Sequence, residues 1–256
     1  MNVTKMLRSL LGAIVLCLIP TASFAGYFAF VENAPPPLPV YAQPPCPAQG
    51  YLWTPGYWAH ASEGYYWVPG VWVQPPRAGL LWTPGYWGTA GRVYIWHTGY
   101  WAPRVGFYGG VHYGFGYAGL GFQGGVWVGN TFHYSTAVTT TGAALLRTAY
   151  VTGSPAVSTA DRRPSFNGPG GVDVFPSPQE TAASLELRFR PTADQLRHEQ
   201  SASMDPSQLM SVNHGFPVAI AMDSVGGHRF DRNGHIADGI LSGRLTYLQA
   251  GALATH

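Results

Sequence analysis

The sequence predicts a mainly β protein, an antiparallel meander of about seven strands forming a small sandwich or curled sheet, followed by short helices and a disordered C-terminal tail. Three observations predict it. Thirty-three glycines and 22 prolines among 256 residues suit turns and bulges and argue against a mainly helical chain. A tryptophan-bounded unit recurs as Trp53-Thr-Pro-Gly-Tyr-Trp58, Trp67-Val-Pro-Gly-Val-Trp72, Trp82-Thr-Pro-Gly-Tyr-Trp87 and Trp96-His-Thr-Gly-Tyr-Trp101. Aromatic residues make up 14% of the chain and charged residues only 10%, where an ordinary soluble domain carries about 25% charge.

Residues 1–25 read as an export signal. Lys5 and Arg8 lead an apolar run over 10–19, and Ala22-Ser-Phe-Ala25 ends in the small residues that a signal peptidase accepts. Ten apolar residues rise about 15 Å as a helix, half the hydrocarbon core of a bilayer, so the segment is read as a leader cut after Ala25 and no transmembrane helix is expected once it is gone. Cys17 leaves with it. The exported chain then keeps a single cysteine, Cys46, which forbids an internal disulfide and leaves a free thiol or an intermolecular bond. Residues 26–48 hold Pro35, Pro36, Pro37, Pro39, Pro44, Pro45 and Pro47, a density that stiffens the chain into an extended linker.

Residues 49–140 form the expected β domain. The first tryptophans of the four units step by 14, 15 and 14 residues, enough for one strand of about nine residues plus a loop of about five, so each unit is read as one strand. The loops fall at 59–64, 74–79 and 88–91, which carry turn residues. Residues five apart in a regular strand face opposite sides. A bulge at Pro-Gly, with the glycine left-handed, would bring both tryptophans of a unit to one face and would also explain a proline inside a strand. Thr98 replaces proline in the fourth unit, so glycine is the common requirement, and the structural repeat residues are Trp53, Gly56, Trp58, Trp67, Gly70, Trp72, Trp82, Gly85, Trp87, Trp96, Gly99 and Trp101. From 105 to 128 glycine alternates with aromatic and aliphatic residues, which predicts strands with one apolar and one bare face. Twenty-four of the 36 aromatic residues lie within 51–134. A ring burying about 200 Å² is worth about 5 kcal/mol, so most of these rings are expected inside.

Residues 141–175 lose periodicity and read as a linker. Over 176–215, Ser177-Pro-Gln-Glu180 is a capping box with proline at the first helical position, and Asp205-Pro-Ser-Gln208 repeats the pattern, which predicts helical arms. Residues 216–256 are weakly patterned and read as a loose tail.

The tryptophan units, followed by the glycine and aromatic run from Gly106 to Tyr117, resemble the YXWGXW (WXXGXW) repeat-containing proteins of bacterial envelopes. The likeness covers residues 35–134, and Ser165-Phe-Asn-Gly168, Pro176-Ser-Pro-Gln-Glu180 and Ser211-Val-Asn-His-Gly-Phe-Pro217 also look like segments of that family's tails. The resemblance implies export and supplies no catalytic residues.

The residues themselves exclude several functions. After Ala25, cations and acids balance at 12 each, which argues against a nucleic-acid partner. Gly114-Phe-Gly-Tyr-Ala-Gly119 and Gly119-Leu-Gly-Phe-Gln-Gly124 match the dinucleotide fingerprint, but no helix follows to receive a pyrophosphate. Glu63 is the only acid between Glu32 and Asp161, so paired-carboxylate chemistry has no place in the β domain. His60, His97, His112 and His133 have no metal-ligand spacing. No cofactor, metal or catalytic residue is therefore expected. The sequence points to a structural or interaction protein of the periplasm, outer membrane or exterior; it does not identify the partner, for which an envelope polysaccharide and another envelope protein are the candidates. A carbohydrate-binding module is the alternative, with Tyr57, Tyr86 and Tyr100 as candidate glycan-stacking rings. A membrane barrel is disfavoured by the proline in each early strand.

Overall fold

Two β-hairpins hold the four tryptophan units, two units to each. The structure, a computed structural model, describes residues 30–141, 143–150 and 163–237. The expected leader over 1–25 and the tail from 238 onward lie outside the described residues. The first hairpin runs out as Leu52–Thr54 and Tyr57–Ala61 and returns as Gly64–Val68 and Gly70–Val73; the second uses Leu81–Thr83, Tyr86–Ala90, Val93–His97 and Tyr100–Ala102. Each closes through a two-residue loop, since Ala61 pairs with Gly64 and Ala90 with Val93. Gly91 supplies the positive φ, 65°, that so tight a turn demands. Each unit is thus one strand, as expected, but cut in two at its Pro-Gly or Thr-Gly step, so twelve short segments lie between Leu52 and Ser135.

The cut is not the expected bulge. In the first hairpin Trp53 opposes Trp72, Thr54 opposes Val71, Tyr57 opposes Val68 and Trp58 opposes Trp67. The register is the same on both sides of the break, two residues facing two, with no residue inserted. Trp82 opposite Trp101 and Trp87 opposite Trp96 repeat the pattern in the second hairpin. None of Gly56, Gly70, Gly85 and Gly99 adopts a positive φ. Proline offers no N–H to a ladder, and in this register each Pro-Gly step faces a Pro-Gly or Thr-Gly step, so both strands lose pairing at the same level. The hairpin changes sheets there: Leu52–Thr54 and Gly70–Val73 join a four-stranded sheet, whereas Tyr57–Ala61 and Gly64–Val68 form a ribbon of their own. The switch lets residues of opposite strand parity reach one core, and Trp53, Trp58, Trp67, Trp72, Trp82, Trp87 and Trp101 all lie in a single buried cluster with Trp96 packed against it.

The segments expected to be linkers are stitched onto these hairpins. Phe30–Val31 pairs with residues 94–95, and Phe166–Asn167 pairs in parallel with residues 87–88. The proline-rich segment is no free spacer: Leu38, Tyr41 and Cys46 are buried in the core. Two of its carbonyls accept indole N–H groups, from Trp58 to Pro37 at 3.1 Å and from Trp72 to Pro44 at 2.9 Å. Arg163, in the second expected linker, donates to the Pro39 carbonyl at 3.1 Å, and Ala149–Tyr150 pairs in parallel with residues 134–135.

The glycine and aromatic run over 105–128 is not regular strand either. Only His112–Gly114, Tyr117–Ala118 and Gly125–Val128 are extended, and Gly109, Gly110, Gly114, Gly116, Gly119 and Gly121 take positive φ. The alternation therefore encodes turns, and the chain folds into a plug of buried tyrosines between the hairpins. Tyr117 Oη donates to the Trp82 carbonyl at 3.0 Å and Tyr113 Oη to the Gly85 carbonyl at 2.6 Å. Over 125–128 the apolar parity is inverted: Val126 and Val128 are exposed, and Trp127 packs on the core.

Three α-helices follow. The expected box at Ser177 caps α1 (Pro178–Ala183), with Ser177 N–H donating to Glu180 Oε2 at 2.9 Å. The longest, α2 (Ala193–Ser203), starts at an unread capping box, Thr192 with Gln195. Asp205 caps a 3₁₀ turn, Pro206–Gln208, before α3 (Met210–Asn213). The tail is ordered further than expected: Ala221–Met222 pairs in parallel with residues 70–71 and antiparallel with Arg229–Phe230. Its Ala219, Ile220 and Ala221 are buried. The architecture is mainly β, in several open sheets, none closed into a barrel among the described residues.

Candidate functional site

The twelve repeat residues converge, in a crosswise pattern. The first tryptophan of each unit meets the second tryptophan of its partner unit: ring centroids lie 5.3 Å apart for Trp53 and Trp72, 5.3 Å for Trp58 and Trp67, 5.2 Å for Trp82 and Trp101, and 5.4 Å for Trp87 and Trp96. The interplanar angles of 54–67° are tilted or edge-on geometries, each worth about 0.5–1.5 kcal/mol beyond burial. That same first tryptophan also lies over the partner unit's glycine. A Cβ on Gly70 would stand 2.5 Å from Trp53 Cζ2 and 3.0 Å from Gly56 N; one on Gly99 would stand 2.5 Å from Trp82 Cζ2 and 2.8 Å from Gly85 N. Gly56 is occluded by Trp67 and Gly85 by Trp96. Glycine is required for the space it leaves, not for its φ. Further hydrogen bonds tie the rings to other segments, from Trp67 to the Ile220 carbonyl at 3.0 Å and from Trp87 to the Trp58 carbonyl at 2.7 Å.

Beside the breaks, under α2, lies a cavity of about 50 Å³ bordered by Tyr57, Thr98, Tyr113, Gln195, His198 and Glu199. His198 Nε2 sits 2.7 Å from the Pro69 carbonyl, and burial holds its pKa below the ordinary value against the opposing effect of that bond. Burial raises the Glu199 carboxyl, which bonds Tyr57, and burial likewise pushes the Tyr57 hydroxyl well up. Such a volume admits a few water molecules.

A second, open depression of about 460 Å³ lies between the second hairpin and α1. Tyr86, Trp96, His97, Tyr100 and Phe107 form one wall; Glu180, Thr181, Ser184 and Arg188 form the other. Of the candidate glycan-stacking rings, Tyr86 and Tyr100 line this groove, whereas Tyr57 borders the small cavity. All three are half-buried, and all three already carry a neighbour. Tyr57 stacks on Trp96 at 4.9 Å and 16°, Tyr86 stacks on His97 at 4.5 Å and 7°, and the Arg188 guanidinium sits 4.7 Å over the Tyr100 ring. The structure therefore does not gather the three into one open row. The residues alone do not place Glu180 and Thr181 of α1, or Ser184 and Arg188 just after it, on this groove, because a capping box announces a helix start and says nothing of what the helix and the segment after it face.

Cys46 is a buried thiol that donates to the Ala48 carbonyl at 3.3 Å, and burial pushes its pKa up to about 11. Among the described residues no group of three or more His, Cys, Asp or Glu side chains gathers to hold a metal, and no helix is long and apolar enough to cross a membrane.

The family model for the WXXGXW repeat (2 copies) matches residues 50–73, the first hairpin. Residues 50–73 thus carry two WXXGXW repeats, and the second hairpin repeats the same register and crosswise contacts. No curated protein and no solved structure matches the chain.

Proposed function

We propose that this chain is a secreted or envelope-associated structural and interaction protein without a catalytic site, and that its repeat serves to build a rigid platform. The observation that supports this most is the fate of the repeat residues: tryptophans and glycines are spent on each other in the interior, and seven of the eight indoles are buried. Export rests on the leader-like residues 1–25. Expression of the full chain in a bacterial host, followed by fractionation and N-terminal sequencing, tests it: a chain beginning at Gly26 outside the cytoplasm is expected, and a cytoplasmic chain retaining the leader contradicts it.

A second reading is favoured by one observation, the groove that brings Tyr86, Trp96 and Tyr100 to an accessible surface. In this reading the platform binds envelope polysaccharide there. Trp96 is the half-buried indole of the eight, so glycan binding shifts tryptophan emission and a Trp96→Phe variant loses the shift. Emission unmoved by peptidoglycan fragments and by surface polysaccharide leaves the platform alone.

A further inference from the structure

We propose that the groove between the second hairpin and α1 binds a saccharide bearing a carboxylate, which pairs with Arg188 while a ring hydroxyl donates to Glu180 and the sugar lies along Tyr86, Trp96 and Tyr100. The inference rests on the groove-binding reading above and names its ligand class. A volume of about 460 Å³ falls within the range of small-ligand sites. The two walls differ in kind: rings on the hairpin side, hydroxyls and charges on the helix side, as a sugar with apolar faces and polar edges requires.

Two features of the polar wall call for a ligand. Glu180 is only 4% exposed, and its Oε2 is occupied by the Ser177 N–H and hydroxyl, each at 2.9 Å. Its Oε1, fully shielded, has no hydrogen-bond partner among the described residues. A buried carboxylate oxygen left unpaired is costly, and a turn of the Glu180 side chain into the groove that it lines would bring that oxygen to a hydroxyl donor of a bound sugar. Arg188, exposed, donates to the Ser184 carbonyl and covers Tyr100, yet meets no carboxylate among the described residues. It is the one arginine or lysine lining the groove among the described residues. Burial lowers the His97 pKa from its ordinary value, which favours the uncharged ring beside the arginine. A neutral sugar leaves the guanidinium unused, whereas a carboxylate forms the charge-assisted, fork-shaped pair that arginine favours.

The test is calorimetric titration of the full chain with three probes: trigalacturonic acid, its methyl ester and the neutral trisaccharide cellotriose. The acid is expected to bind at least tenfold more tightly than the other two. Arg188→Gln, an exposed change verified as folded by circular dichroism, is expected to abolish that preference, and Arg188→Lys to restore part of it. Equal affinity for acid and ester, or an acid preference that survives Arg188→Gln, overturns the charge-reading site while leaving the aromatic groove standing. No binding of any of the three probes overturns both.

Discussion

In the first hairpin all four indoles are sealed, whereas in the second Trp96 stays half-buried and borders the groove, although the two hairpins share register, ring spacing and glycine contacts. The cover differs. Proline carbonyls of residues 37 and 44 and the Ile220 carbonyl close over the first hairpin, while the fourth unit's break is left beside α1. There Thr98 stands exposed where Pro55, Pro69 and Pro84 are buried. The internal frame therefore depends on glycine and tryptophan, and the residue before the glycine is free to vary where the surface opens.

The largest effect that could break this equivalence is glycine replacement. Gly56→Ala, Gly70→Ala, Gly85→Ala and Gly99→Ala each drive a methyl against both an indole and a backbone nitrogen, and each is expected to cost about 3 kcal/mol in urea unfolding. Gly91→Asn, at a turn with open space and a φ that asparagine tolerates, is expected to change stability by less than about 0.5 kcal/mol. A loss in one hairpin only ends the equivalence.

Tryptophan truncation sharpens the contrast between the two covers. Trp58→Ala, at a site 1% exposed, is expected to cost about 4 kcal/mol, and Trp96→Ala about half that because part of its ring is already wet.

A smaller effect comes from pH at the α2 contact, which covers the first hairpin's break. The His198 pKa is lowered on folding, so as pH falls below about 6.5 the unfolded chain takes up the proton first and stability drops until the folded value is passed. Glu199, raised on folding, acts in the opposite sense: stability it supplies in acid is lost as pH rises from its unfolded value through its folded one. His198→Gln is therefore expected to flatten the thermal-melt profile between pH 7 and pH 6, and Glu199→Gln to change it at lower pH. The smallest effect is chemical: with a pKa of about 11, Cys46 should react with a disulfide reagent roughly 100-fold more slowly in the native chain than after denaturation.

Much of this was legible in the residues. Four units at a regular spacing gave the strands, an excess of rings over charges required burial, and Ser177 with Glu180 announced α1. The conformation of Gly56 and its counterparts was not legible, because a positive φ and a close approach both select glycine, and only the partner strand's register separates the two. The proline segment misled for a related reason. Its backbone makes few ladder bonds, yet its free carbonyls are what the buried indole N–H groups need, and that pairing joins residues far apart in the chain. The tail's strand at Ala221–Met222 is too short to show a period. The groove was half legible: Tyr86 and Tyr100 were named from the motif, while Glu180 came from α1 and Arg188 from the loop after it, whose placement no local pattern encodes.

The crosswise packing of each unit's glycine beneath its partner's tryptophan is best tested by a double-mutant cycle. Gly56→Ala is measured alone and with Trp67→Leu, then with Trp53→Leu from its own unit. Coupling above about 1 kcal/mol for Gly56 with Trp67, and additivity within about 0.5 kcal/mol for Gly56 with Trp53, is the predicted result. Additivity for Gly56 with Trp67 would contradict it.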